Sequence, residues 1–315
     1  MTDFYDDPSR MEPSFQFYRV RTVGDTLGDT FDFVRRHFRE MFGGLLVIVG
    51  PLLLVQTLVA ASFQGAWLDA FTTSGDAFTD PDTVLGFYGD FGVRIAVTWL
   101  ASLLAYAFMT AATFGYMQLV EAGRGGTISP AVLWEATKPN ILPLLWISLL
   151  SVLIVIVGAV VNVLPCLGTL AWLIGFVYLM PVFWIWQPAR VFGGGTVARA
   201  FVQARQLVHG QWGPTFGVLF VLIVVMIAVG IAVALPFSVL GFVLGAEGDT
   251  TGPLARLLLL SSTVLGGLAY FVYVLAYVGA TLHYFNLVER SDSVDLARRV
   301  DDLDDLDPPA EPAAW

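Results

Sequence analysis

Apolar residues along this chain gather into six long stretches, at about 42–63, 93–120, 141–163, 167–187, 214–243 and 254–288. Each has the ~20 residues needed to cross ~30 Å of hydrocarbon as an α-helix. The last two run longer, which predicts tilt or an extension beyond the bilayer. The pattern predicts an all-α polytopic membrane protein with six transmembrane helices. Its membrane domain covers 20–290, between an acidic N-terminal tail (1–19) and an acidic C-terminal tail (291–315).

The polar connections alternate in charge. Arg19, Arg21, Arg35, Arg36 and Arg39 precede the first stretch. The next connection, 64–92, holds Asp69, Asp76, Asp80, Asp82 and Asp90 but no Lys or Arg. Arg124 and Lys138 follow the second stretch, and 162–166 is short and uncharged. Arg190, Arg199 and Arg205 follow the fourth, Glu247 and Asp249 the fifth, with Arg256 at the start of the sixth. Arg290, Arg298 and Arg299 open the C-terminal tail. Basic residues mark cytoplasmic connections, so both termini are expected in the cytoplasm. The acidic start, 1–13, lacks the basic region of a cleavable signal peptide, so the first stretch is expected to insert and stay.

The even stretches end alike: Tyr116-Met117-Gln118-Leu119-Val120-Glu121, Ile185-Trp186-Gln187-Pro188-Ala189-Arg190 and Tyr284-Phe285-Asn286-Leu287-Val288-Glu289. Gln118, Gln187 and Asn286 share one register, Glu121, Arg190 and Glu289 a second, and Met109, Tyr178 and Tyr277 a third. An amphipathic helix is also expected before each odd stretch. Val20, Val23, Leu27, Phe31, Val34 and Phe38 make the first stripe, and Thr22 with Asp25 resembles a capping box. The second starts at Ser129-Pro130 and is expected to stop by Pro139. Val197, Phe201, Val208 and Trp212 make the third. The chain is therefore expected to hold three two-helix repeats, at about 20–121, 127–190 and 195–289. Each would be preceded by a cytoplasmic interfacial helix and arranged about a pseudo-threefold axis, as parallel repeats are in some transporters.

Candidate chemistry is sparse. Gln118, Gln187, Asn286, Tyr277 and Tyr178 are candidates for a polar axis, either as a constriction or head-group site or as interfacial residues reaching water. Arg190 between Glu121 and Glu289 reads as a clamp joining the repeats. Arg35, Arg36 and Arg39 suit anionic lipid head groups, at ~1 kcal/mol each. Tyr270, Tyr273, Tyr277 and Tyr284 form a stripe that either lines a cavity for an amphiphile or belongs to packing and an interfacial belt. No Asp, Glu, Lys or Arg falls deep within a stretch, which argues against a proton- or ion-coupled pump. His37, His209 and His283 have no metal-ligand spacing, and no phosphate-binding or nucleophile motif stands in a convincing context. Gly193-Gly194-Gly195 is either a linker or an anion-receiving helix start. No catalytic residue, metal or cofactor is expected, and nucleic acid is not an expected partner.

Composition supports this picture. The 315 residues are 57% hydrophobic and 13% charged, with net charge −10. Acidic groups lie almost wholly outside the apolar stretches, which fits either a high-salt source or acidic tails on a biased composition. The single cysteine, Cys166, excludes an internal disulfide and reads as a packing residue. The Asp-rich tail from 292 to 306 has Leu296, Val300, Leu303 and Leu306 on one face, and either docks a partner protein or stays disordered until binding.

The opening Arg21-Thr22-Val23-Gly24-Asp25-Thr26-Leu27, the run into the first span with Pro51, and the Gln118 and Asn286 helix ends carry a family resemblance. Over about 20–290 the chain resembles a group of prokaryotic six-span proteins related to the membrane domain joined to glycerophosphodiester phosphodiesterases. The phosphodiesterase barrel and its motifs are missing, so the resemblance implies a membrane domain of a prokaryotic plasma membrane without hydrolase activity. The leading expectation is a non-enzymatic accessory or scaffold that organises lipid or a membrane partner. The alternative is a passive transporter or lipid-handling protein with a path along the pseudo-axis.

Overall fold

The fold was obtained as a computed structural model, which describes residues 15–73, 81–124, 128–161, 167–246 and 253–292. The acidic tails beyond these limits, Cys166 and residues 74–80 of the Asp-rich outer connection lie outside the described residues. Within them the chain is all-α. The helices are α1 (Val23–Thr73), α2 (Pro81–Glu121), α3 (Pro130–Val161), α4 (Leu167–Phe192), α5 (Val197–His209), α6 (Trp212–Ala246), α7 (Pro253–Ala269) and α8 (Tyr273–Asp292). Six segments are long and apolar enough to span a membrane, so this is a multi-pass membrane protein.

α1 begins with the expected capping box. The Thr22 backbone N–H donates to Asp25 Oδ2 at 3.0 Å and the Asp25 N–H to Thr22 Oγ1 at 3.2 Å. The helix then runs unbroken for 51 residues, so no separate interfacial helix precedes the first span. Its core-facing side is not the expected apolar stripe. Phe31 and Phe38 are 43% and 49% exposed, while Thr26, Thr30, Phe33 and Met41 are fully buried. A bilayer accepts apolar side chains, so the apolar stripe faces outward and small residues pack inward. The threonines are satisfied within the helix: Thr30 Oγ1 donates to the Thr26 carbonyl at 2.6 Å.

α3 is a second departure. Ser129 caps it as expected, its Oγ accepting from the Val132 N–H at 3.4 Å. Pro139 and Pro143 do not stop it, and the helix continues for 32 residues. Close packing on α2 holds it there. A Cβ on Gly115 would stand 3.1 Å from the Ala136 carbonyl carbon, so the two backbones touch at this crossing. In a membrane the groups a proline frees are re-satisfied by neighbours more readily than in a soluble helix. Of the three expected interfacial helices, only α5 is a separate element. Thr196 caps it, and Ala200, Ala204 and Val208 turn inward. Gly194 and Gly195, at φ of 70° and 79°, make the corner that leads into it.

The sixth span is broken. α7 approaches α1 closely, since a Cβ on Gly267 would lie 2.4 Å from Thr57 Oγ1. A 3₁₀ turn, Tyr270–Val272, then joins α7 to α8. α8 is the hub, packing on α1, α2, α4, α5 and α6. Just over half of the residues in its span window, 53%, are buried, against 17–33% in the other five. The chain thus wraps its last helix in the earlier ones.

Candidate functional site

Where the 3₁₀ turn interrupts the last span, a cavity of about 520 Å³ opens between α2, α3, α4 and α8. A 3₁₀ helix has three residues per turn, so side chains at i and i+3 eclipse. Tyr270 and Tyr273 therefore project to one side, with ring centroids 5.7 Å apart, and both line the cavity. Ser102 and Tyr106 reach it from α2, Ser148 and Ser151 from α3, and Gln187 from α4. Ser102 and Tyr106 sit near the middle of the span Gly92–Glu121, which places the cavity at bilayer depth. Its rim includes Trp99 and Leu100, 61% and 58% exposed. On a membrane span such faces meet lipid, so the cavity opens sideways into the bilayer.

The polar lining is neutral and ordered. Gln187 Nε2 donates to Tyr106 Oη at 2.8 Å. The Ser148 and Ser151 hydroxyls each donate to their own helix, to the Leu144 and Ile147 carbonyls at 2.8 Å. Gln56 of α1 lies behind the wall, its Nε2 3.3 Å from Ser102 Oγ and 3.1 Å from Tyr270 Oη. Among the described residues, no Asp, Glu, Lys, Arg or His lines the cavity. A second cavity, of about 420 Å³, lies on the α6 side of the same turn and shares Tyr270 and Tyr273.

The three amides of the expected polar axis are engaged separately. Gln118 Oε1 accepts from Asn140 Nδ2 at 3.1 Å, and its Nε2 donates to the Val191 carbonyl at 3.2 Å. Gln187 serves the lateral cavity. Asn286 Oδ1 accepts from the Arg21 backbone N–H at 2.8 Å and from Arg290 Nε at 3.2 Å. No hydrogen bond joins any two of the three among the described residues. Tyr277 is buried, its ring 5.7 Å from that of Tyr106 and 6.0 Å from that of Phe114. Tyr178 is 57% exposed and stacks on Trp212, away from Tyr277. The residues expected to share a register thus have different surroundings.

The expected clamp is also not formed as an ion pair. Glu121 is exposed and accepts from Tyr18 Oη at 3.2 Å. Glu289 is buried, and Arg190 has its Nε enclosed without a hydrogen-bond partner. Among the described residues no ion pair joins Arg190 to Glu121 or Glu289. Arg35, Arg36 and Arg39 are exposed, Arg35 beside Asp32 at 3.4 Å, so they are free to meet head groups.

Arg21 is the residue that charge patterning missed. It is 2% exposed. Its Nε donates to Asp29 Oδ2 at 2.7 Å and its Nη1 to the Phe17 carbonyl at 2.7 Å, while Nη2 donates to the Gln16 carbonyl. Burial lowers its pKa from the ordinary arginine value, and the Asp29 carboxylate opposes that shift. Its backbone carbonyl accepts from Arg290 Nη2 at 2.9 Å. Arg21 therefore ties the segment before α1 to both ends of the molecule. The signal available in the sequence was an arginine directly beside the Thr22–Asp25 capping box.

No protein-family model, curated protein or solved structure matches this chain. Its chemistry is therefore read from its own residues. Among those described, no cluster of three His, Cys, Asp or Glu converges. His283 is buried with Nε2 2.9 Å from Thr215 Oγ1, far along the sequence from His37 and His209.

Proposed function

We propose that this chain is a non-enzymatic integral membrane protein that organises lipid by seating an amphiphile in the lateral cavity between α2, α3, α4 and α8. The observation that carries this is a neutral, hydroxyl-lined space at bilayer depth whose rim is lipid-facing. Such a volume lies within the ~300–1,000 Å³ of small-ligand sites. The lining lacks the ionisable groups that ion-coupled transport needs at depth. Ser148 and Ser151 donate to their own helix, and among the described lining residues no histidine or carboxylate stands beside a serine to act as a base, which speaks against acyl transfer.

Passive movement of the amphiphile is a second reading, favoured by the cavity on the far side of Tyr270 and Tyr273. Membrane lipids are the partners of either reading. The alternation of arginines along six spans supports a prokaryotic plasma membrane with both termini cytoplasmic. The resemblance to phosphodiesterase-associated membrane domains fits a lipid-facing role without hydrolysis.

Reconstitution in nanodiscs containing a lipid with a diazirine in its acyl chain tests this. The expected result is adducts concentrated on peptides carrying Trp99, Leu100 or Tyr273. Adducts spread evenly over all lipid-facing helices would remove the proposal.

A further inference from the structure

The polar groups around the cavity are unequally spent. Gln56 is 5% exposed. Its amide nitrogen serves both Ser102 and Tyr270, while Oε1 has no hydrogen-bond partner. Reversing the amide does not help. The oxygen would then accept from the two hydroxyls and the NH₂ would be left alone. The amide thus fixes two cavity-lining hydroxyls from behind by donating to their oxygens, which leaves the Ser102 and Tyr270 protons free for the cavity.

Ser148 and Ser151 have used their protons on the Leu144 and Ile147 carbonyls, and Gln187 has used an amide N–H on Tyr106. What Ser148 and Ser151 still present to the cavity is acceptor lone pairs, while Gln187 keeps its oxygen and one N–H. A phosphate diester offers only acceptors and a negative charge, and the lining has no Arg or Lys to meet it. A quaternary or primary ammonium brings a positive charge, and the lining has no carboxylate to offset it. A hydroxyl is uncharged, donates to the serine and amide oxygens, and accepts from Tyr270 or Tyr273.

We infer that the cavity selects an uncharged lipid whose head carries free hydroxyls, of the diacylglycerol type, received by Ser102, Ser148, Ser151 and Tyr270, with Gln56 holding Ser102 and Tyr270 in place from behind the wall. This rests on the lipid-seating function proposed above and names the class of lipid. The acyl chains leave through the rim at Trp99 and Leu100 into the bilayer.

The test uses the full chain in phosphatidylcholine nanodiscs carrying, at equal mole fraction, diazirine-tagged diacylglycerol, phosphatidylglycerol or phosphatidylcholine. Diacylglycerol is expected to label cavity peptides roughly tenfold more than either phospholipid. Gln56→Leu is expected to remove most of that preference. Because Gln56 also bridges helices, the pair Ser148→Ala with Ser151→Ala, which breaks no interhelical bond, is measured beside it and is expected to weaken the preference in the same direction. Equal labelling of the cavity by all three lipids, or more by phosphatidylglycerol, would overturn the head-group inference while leaving lipid seating intact. A preference unchanged in both variants would overturn it too. No labelling of cavity peptides by any lipid would overturn both this inference and the function it rests on.

Discussion

Replacing Arg21 with Leu removes a guanidinium that holds four acceptors, the Asp29 carboxylate and the Phe17, Arg19 and Gln16 carbonyls. Each charge-assisted bond contributes ~1.5–3 kcal/mol, and breaking a fully buried ion pair costs ~3–5 kcal/mol. Two features reduce the loss. The Asp29 side chain is 24% exposed, and Arg19 Nη2 stands 3.4 Å from its Oδ2, so that carboxylate keeps partial compensation. The Phe17 carbonyl, on a buried residue, is the acceptor most affected. A net cost of about 3 kcal/mol follows. Arg21→Lys should recover only part of it, because an ammonium is a point charge and not a fork. The natural control is Arg35→Leu. That side chain is 80% exposed and its pair with Asp32 is a surface contact, so ~0.5 kcal/mol or less is expected. Equilibrium unfolding in mixed micelles with increasing SDS, followed by tryptophan fluorescence, gives both values. If Arg21→Leu unfolds within ~0.5 kcal/mol of Arg35→Leu, the buried fork is not holding the fold together.

Two more outcomes are expected. Gly115→Val should cost about 1–3 kcal/mol, because its side chain must enter the contact with the Ala136 and Thr137 backbone, whereas Gly43→Ala, with open space around it, should be tolerated in the same titration. A double-mutant cycle on Arg190→Gln and Glu289→Gln should give coupling below ~0.5 kcal/mol; a coupling above ~1 kcal/mol would restore the inter-repeat clamp.

The spans were legible because hydrocarbon selects for length and apolarity, and both are local properties of sequence. The capping box at Thr22 and Asp25 and the cap at Ser129 were legible for the same reason, since their hydrogen bonds close within one turn. The side of α1 that faces the core was not. Apolar periodicity locates a core when the outside is water, but here Phe31 and Phe38 are as comfortable in lipid as in protein, and the small Thr26 and Thr30 go inside. Pro139 was read by its intrinsic helix-breaking tendency, which tight packing on α2 overrides. The shared register of Gln118, Gln187 and Asn286 was legible as sequence. Their separate partners were not, since each is supplied by a different element: Asn140 from α3, Tyr106 from α2 and the segment before α1. The cavity was half legible. The tyrosine stripe placed Tyr270 and Tyr273 on one face, but the cavity they line is completed by Ser102, Tyr106, Ser148, Ser151 and Gln187 from three other helices, which no local pattern could announce.

The knot at Arg21 bears on how the protein is made. Its backbone N–H is received by Asn286 and its carbonyl by Arg290, some 265 residues later in the chain. While the ribosome is still delivering the first five spans, neither partner has been synthesised. The opening segment must wait at the membrane surface, and α1 has no final seat until α8 arrives. A chain that stops short of α8 thus leaves the Arg21 backbone without its late-made partners.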